Sequence, residues 1–214
     1  MPCPLCHSSR SRLYYRDAIR DYRQCPRCRL VFVPEAQRLD PAEEKARYDL
    51  HRNDPADPRY RAFLSRLHRL VCRRIAPPAR GLDFGSGPGP ALAMMFRESG
   101  YEMQIFDVYY ADHPGVLERE YDFVTCSEVV EHLYEPGRVL QELLVCLAPG
   151  GLLAIMTQMI IDRERFASWH YIRDPTHVAF FSRDTFSWFA EEQQCLVEFP
   201  DKDIILLTNL RPDV

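Results

Sequence analysis

The stretch Gly81-Leu82-Asp83-Phe84-Gly85-Ser86-Gly87-Pro88-Gly89 constrains this chain more than any other. A short apolar run ends in an acid, and three glycines then recur at every second position. This order describes a strand turning sharply into a helix, because such a turn demands backbone angles that glycine adopts most freely. The missing side chains also let a ligand lie against the backbone. The free N–H groups of the following helix, predicted over 90–99, would face that ligand. A nucleotide-type ligand is implied.

From this loop onward, strand and helix signals alternate. Strands are predicted over 80–84, 102–107, 121–126, 151–157, 195–199 and 203–209, and helices over 90–99, 136–147 and 182–193, the last capped by Ser182. Alternation of this kind implies an α/β fold: a doubly wound, mostly parallel sheet that takes its ligand at the carboxyl ends of the strands. The last two strands are joined only by Pro200-Asp201-Lys202, too short for a parallel crossover, so they should pair antiparallel. The 214 residues are enough for one such domain and a small appendage.

The appendage announces itself by cysteine spacing. Cys3-Pro4-Leu5-Cys6 and Cys25-Pro26-Arg27-Cys28 are separated by eighteen residues, within which 13–22 can form a hairpin. Two Cys-x-x-Cys turns supply four thiolates for a closed, tetrahedral zinc site that holds a fold and does no chemistry. Disulfides or a redox pair are the alternatives, and a redox pair would need only one of the two turns. The other four cysteines fall in apolar segments as buried thiols. No signal-peptide pattern and no bilayer-length apolar run is present, so a cytoplasmic protein without membrane contact is expected. The expected organisation is a zinc-ribbon-like module over 1–40, a helical connector or cap over 41–78, and a ligand-binding domain over 79–214.

The connector has two Pro-rich points, Asp40-Pro41 and Asp54-Pro55-Ala56-Asp57-Pro58, with a helix predicted between them that runs out through residues 47–53. An amphipathic helix follows over 59–76, with Tyr60, Phe63, Leu64, Leu67, Leu70 and Val71 on one side and arginines on the other. The net charge of −4 conceals a split: residues 1–80 carry 18 Lys/Arg against 9 Asp/Glu, and residues 81–214 carry 9 against 22. Such a split can mark an anionic partner or only a solvated arginine-rich face.

A dinucleotide fingerprint needs its third glycine at position 90, where this chain has Pro90. The spacing Gly85-x-Gly87-x-Gly89 after Asp83 instead resembles the class I S-adenosylmethionine-dependent methyltransferases. The resemblance continues through Asp107, through Tyr121-Asp122-Phe123-Val124-Thr125-Cys126-Ser127, and through Leu147-Ala148-Pro149-Gly150-Gly151-Leu152-Leu153, and so covers 80–158 in order. It implies a Rossmann-like fold. Asp83, Gly85, Gly87 and Gly89 would cradle the methionine end, Asp107 would hold the ribose, and Ser127 would lie beside the cofactor. Many relatives insert a helix, a strand and an adenine-contacting acid where this chain has only 108–120, so that region is abridged.

Directly after Ser127 comes Glu128-Val129-Val130-Glu131-His132. If this segment is helical, Glu128 shares a face with Glu131 or His132, and carboxylates with an imidazole at a strand end form half of a divalent-metal shell. The segment after Thr157, through 169–182, follows the fifth strand and is expected to return over the same end of the sheet as a lid. With His177 from that segment, Glu128, Glu131 and His132 resemble the metal site of small-RNA 3′-terminal 2′-O-methyltransferases. The Glu-x-x-Glu-His half also resembles the ubiquinone-pathway O-methyltransferases. Zinc-domain sugar C-methyltransferases share the Cys-rich start and a Glu-His here, which implies proton transfer by Glu131 and His132 instead. A purely local role for these residues is the third alternative. The expected cofactors are S-adenosylmethionine, a structural zinc and, under the first reading, a second divalent ion (Mg, Mn or Zn). The expected activity is methyl transfer to a hydroxyl, or an activated carbon, of a small molecule such as a sugar or phenol. The other candidates are RNA as the acceptor, or a non-catalytic protein that binds the cofactor or nucleic acid. Oligomeric state is left open.

Overall fold

A computed structural model describes residues 1–50 and 53–210. His51 and Arg52, at the end of the expected connector helix, and residues 211–214 lie outside the described residues. The chain begins with the hairpin β1 (Arg12–Arg16) and β2 (Asp21–Gln24), followed by β3 (Val31–Phe32). Two capped helices form the connector. In α1 (Pro41–Tyr48) Asp40 and Glu43 make a reciprocal capping box, and in α2 (Pro58–Cys72) Asp57 accepts from the Arg59 N–H. In both, a proline occupies the first position, where no N–H is needed.

The main domain runs β4 (Arg80–Phe84), α3 (Ala91–Glu98), β5 (Glu102–Phe106), β6 (Tyr121–Ser127), α4 (Pro136–Val145), β7 (Leu147–Met156) and α5 (Arg163–Ser168). It ends with β8 (Ala179–Phe180), α6 (Arg183–Gln193), β9 (Cys195–Asp201) and β10 (Ile204–Asn209). Its sheet has the order β5-β4-β6-β7-β10-β9. The first four strands are parallel, and the last two pair antiparallel, as their short connection requires. Both faces are covered, which is why the strands are apolar almost throughout. In β7, Leu152, Ala154 and Met156 meet α2 and α3, while Leu153 and Ile155 meet the α4 and α6 side. Between β5 and β6 there is only an isolated bridge, Asp107 to Ala111, and one 3₁₀ turn, so the sheet ends at β5.

The N-terminal strands are joined to this domain by main-chain pairing. The second sheet has the order β1-β2-β3-β8, with Val31 opposite Phe180 and Phe32 opposite Ala179. The expected basic–acidic division resolves into contacts between the two halves. Arg27 pairs with Glu192, Arg61 with Glu98, Arg66 with Asp201 and Asp203, and Arg74 with Glu198.

The first cysteine turn docks on the start of α4, where the Gly137 N–H donates to the Pro4 carbonyl at 3.3 Å. A Cβ on Gly137 would lie 2.3 Å from the Leu5 carbonyl oxygen, whereas one on Gly115 would meet nothing within 4 Å. Overpacking against backbone typically costs 1–3 kcal/mol. Gly137→Ala should therefore lower the unfolding free energy by about 1–3 kcal/mol in urea titrations, while Gly115→Ala stays within about 0.5 kcal/mol.

Candidate active site

The chain goes from β4 to β5 on one side and later to β6 on the other, so a crevice opens at the carboxyl ends of β4 and β6. A cleft of about 780 Å³ occupies it. The glycine loop forms one wall: Gly85 and Gly87 have φ of 73° and 63°, and the N–H groups of Gly85 and Ser86 donate to the Phe106 carbonyl. Asp107 braces the loop from the end of β5, accepting from the Gly87 N–H at 2.9 Å and, through its other oxygen, from the N–H groups of Tyr109 and Tyr110. Ser127 lines the cleft as well.

Asp83 and Gly89 stand differently from the rest of the expected cradle. Asp83 is 4% exposed and lies beneath the loop, accepting a 2.8 Å hydrogen bond from Thr125 Oγ1. Gly89 packs on the connector, where a Cβ would fall 1.8 Å from the Asn53 carbonyl oxygen. The hydroxyl of Ser86, which lines the cleft, is the one buried side-chain polar atom among the described residues that lacks a hydrogen-bond partner. That orphaned group and the open backbone fit a polar ligand lying on the loop.

Beyond Ser127 the chain does not become an α-helix. Glu128 adopts φ 53°, its N–H bonds the Met156 carbonyl at 2.7 Å, and Val130–His132 form a single 3₁₀ turn. The turn keeps Glu128 near Glu131, the Tyr171 hydroxyl standing 3.5 Å from Glu128 Oε2 and 2.5 Å from Glu131 Oε1, but outside the tightest cluster of donors. Donor atoms of Glu131, His132 and His177 all lie within 4.8 Å of one another, and Glu128 stands outside that group. Glu131 is 1% exposed and accepts from Thr157 Oγ1 at 2.9 Å and from the Tyr171 hydroxyl at 2.5 Å. The His132 Nδ1–H donates to the Thr176 carbonyl and the His177 Nδ1–H to the Tyr171 carbonyl, so the lone pair of each ring is on Nε2. Ring nitrogens anchored in this way are a common arrangement behind metal-binding imidazoles.

Burial dominates the electrostatics. It raises the Glu131 carboxyl, and it pushes Glu128 up to about 8 with help from the neighbouring Glu131 charge. Burial and the facing His132 lower His177. Over the cleft, α1 supplies Glu44, which is 7% exposed and accepts from the hydroxyls of Tyr48 and Tyr109. The Tyr48 ring meets His132 edge-on at 5.3 Å. Sequence reasoning missed Thr157, Tyr171 and Glu44, whose roles depend on contacts between distant segments. Trp169 and His170 belong to the lid, hydrogen-bonded or close to Gln158.

At the other end of the module the four cysteine sulfurs also lie within 4.8 Å of one another, with Cys3–Cys28 and Cys6–Cys25 each at 3.4 Å. Zinc–sulfur bonds of ~2.3 Å give a tetrahedron with edges of about 3.8 Å, so the four thiolates fit. His7 and Arg29, each just after the second cysteine of a pair, take left-handed φ of 55° and 64° and close two equivalent knuckles.

The family described as "Methyltransferase domain" matches residues 52–198. The chain belongs to this methyltransferase family. It is 32% identical over 91 residues to the ubiquinone biosynthesis O-methyltransferase of Aeromonas salmonicida (strain A449), covering 42% of this chain and 38% of that protein. With the enzyme of the same name from Shewanella pealeana it shares 31% over 84 residues, 39% of this chain and 36% of the other. The chain therefore spans less than two fifths of these relatives' length. Among solved structures it is similar to the Burkholderia thailandensis 1,6-didemethyltoxoflavin-N1-methyltransferase with bound 1,6-didemethyltoxoflavin and S-adenosylhomocysteine. That match has a TM-score of 0.60 at 12% identity and covers 95% of this chain and 100% of that one. An O-methyltransferase family protein from the same organism gives a TM-score of 0.51 at 15% identity over 78% of this chain and 62% of that chain. These likenesses establish the Rossmann-like methyltransferase fold. No helix among the described residues is long and apolar enough to cross a membrane.

Burial pushes the Asp83 carboxyl up to about 6. A carboxyl raised on folding keeps its proton more tightly in the native state, so native stability falls as pH rises from about 4, its unfolded value, to about 6. Asp83→Asn should remove this loss. Urea unfolding at pH 7.5 should show a gain on the order of 1–3 kcal/mol, and the gain should vanish near pH 3.5.

Proposed function

We propose that this chain transfers a methyl group from S-adenosylmethionine to a hydroxyl oxygen of a small-molecule acceptor. The observation that carries the reading is the meeting of Glu131, His132 and His177 within 4.8 Å, in the same cleft as the glycine loop. The cofactor's methionine end is assigned to the loop with its orphaned Ser86 hydroxyl, its ribose to Asp107, and its reactive end to the region of Ser127 and Glu128. The transfer is a displacement at a sulfonium carbon, so the chain's task is to align the acceptor and relieve it of a proton.

Two imidazoles and a carboxylate suit a divalent cation, which when bound would act as a Lewis acid on the acceptor hydroxyl. Thr157 and Tyr171 hold the Glu131 carboxylate, and the carbonyls of Thr176 and Tyr171 hold the two rings. Glu128, pushed up to about 8, holds its own proton at neutrality and becomes able to take up the acceptor's proton only as pH rises through that value. We assign the four cysteines to a structural zinc on the strength of their sulfur spacing.

Charge supports a small acceptor over RNA. The cleft is lined by Glu44, Asp107, Glu128, Glu131, Glu135 and Asp174, and its Arg138 is engaged by Glu135 and Glu142. A polyanion would be repelled there, and four arginines of the basic half, Arg27, Arg61, Arg66 and Arg74, are held in pairs with acids of the domain. The names of the ubiquinone biosynthesis O-methyltransferases and of the 1,6-didemethyltoxoflavin-N1-methyltransferase, which imply small acceptors, support the same reading.

Calorimetric titration separates the two halves of the site. Asp107→Ala should weaken S-adenosylmethionine binding by about 10- to 100-fold, the loss expected for hydrogen bonds to a charged group. Glu131→Ala should leave binding within about threefold and abolish transfer. Wild-type affinity in both variants would show that the cofactor lies elsewhere. Elemental analysis should find a dialysis-resistant zinc and an exchangeable divalent ion, the second lost in Glu131→Ala. Finding the cysteine-bound zinc alone would replace the metal by acid–base chemistry of Glu131 and His132.

A further inference from the structure

Arg20 belongs to the turn between β1 and β2, yet its side chain serves a segment far along the chain. It is 6% exposed. Its Nη1 donates to the carbonyls of Pro175 at 3.0 Å and His177 at 3.1 Å, and its Nη2 to those of Ile172 at 2.5 Å and Asp174 at 3.0 Å. Four main-chain oxygens from six consecutive residues thus converge on one planar cation. The guanidinium carbon lies 5.4 Å from the centroid of the Tyr22 ring, and the Tyr22 hydroxyl donates to Asp17. Asp17 in turn accepts from the backbone N–H groups of Ile19 and Arg20 and so fixes the turn that launches the arginine.

A cation is costly to bury unless its donors are met. Reaching four carbonyls at once requires the fixed fork of a guanidinium, which the point charge of a lysine does not provide. The gathered segment is the one that carries Tyr171 and His177. The His177 ring is tethered through Nδ1 to the Tyr171 carbonyl, so its orientation follows the path of the chain between them. On the far side, the Val178 N–H donates to the Glu131 carbonyl and the Val33 N–H to the Val178 carbonyl. Residues 172–178 are therefore strung between the N-terminal module and the Glu131 turn.

We propose that Arg20 is a positioning residue, through which the N-terminal module holds Tyr171 and His177 in place against Glu131. The inference rests on the site assigned above, but its geometry does not depend on which acceptor is methylated. It gives the module a task besides binding zinc: the module is part of the frame of the active site.

Ring ¹⁵N–¹H spectra of His177, assigned with His177→Gln, test this without requiring turnover. In wild-type protein dialysed free of loosely held cations, His177 should show one Nδ1–H tautomer. In Arg20→Met and in Arg20→Lys the two tautomers should mix, and kcat should fall at least tenfold while S-adenosylmethionine affinity stays within threefold. A single Nδ1–H tautomer that persists in either folded variant would overturn the proposal. If Arg20→Met does not fold, Arg20→Lys, which keeps the charge but loses the fork, decides alone. A wild-type protein that binds S-adenosylmethionine but methylates no acceptor would refute the proposed reaction and leave the spectral test of Arg20 intact.

Discussion

A carboxylate buried at the end of a parallel sheet must be met by donors, or it will take up a proton or unfold its surroundings. Glu131 is in that position, and much of the lid can be understood from it. Thr157, the first residue beyond β7, and Tyr171, from the turn after α5, give it one hydroxyl each. Its own backbone carbonyl takes the Val178 N–H. Three separate parts of the lid are thereby fixed around one residue, two on its carboxylate and one on its main-chain carbonyl. The apolar cluster of Tyr22, Phe166, Tyr171, Ile172 and Phe180 then seals the lid against the N-terminal sheet.

The charge division along the chain has a structural use. Arginines of the module, of α2 and of the turn just after it face acids on α3, α6 and the β9–β10 hairpin, so complementary charge helps dock the connector and module on the domain. Each exposed pair contributes little, roughly 0.2–1 kcal/mol. Their value lies in number and placement, because they bracket the apolar face that α2 presents to β7 and α3.

Local and periodic features were legible in the sequence. The glycine loop, both cysteine knuckles, the cap at Ser182, the antiparallel final hairpin and the shortened 108–120 segment each leave a signature within a few residues. The site was legible only as a set of candidates. Whether Glu128 joins Glu131 depends on the turn after Ser127, and the left-handed backbone at Glu128 is not a preference that glutamate announces. Three-residue spacing on a helix would have put the two carboxylates on one face; the left-handed residue at Glu128 instead leaves its carboxylate beside the cluster of Glu131, His132 and His177, not within it. Tyr171, Thr157 and Arg20 had no local signal, because each acts through a partner in another segment. The expected boundary near residue 40 has the same limit: β3 shows nothing in its own sequence of β8, with which it pairs.

That pairing also orders the birth of the molecule. On a ribosome, β1, β2, β3 and both cysteine turns emerge well before β8, the strand that closes their sheet. Through most of synthesis β3 is an open edge, a row of unpaired N–H and C=O groups of the kind that recruits neighbouring chains. Ion capture by the four thiolates needs only residues 3–28, so it can stiffen the nascent hairpin during that interval. The exposed edge is retired only when β8 is made and pairs with β3.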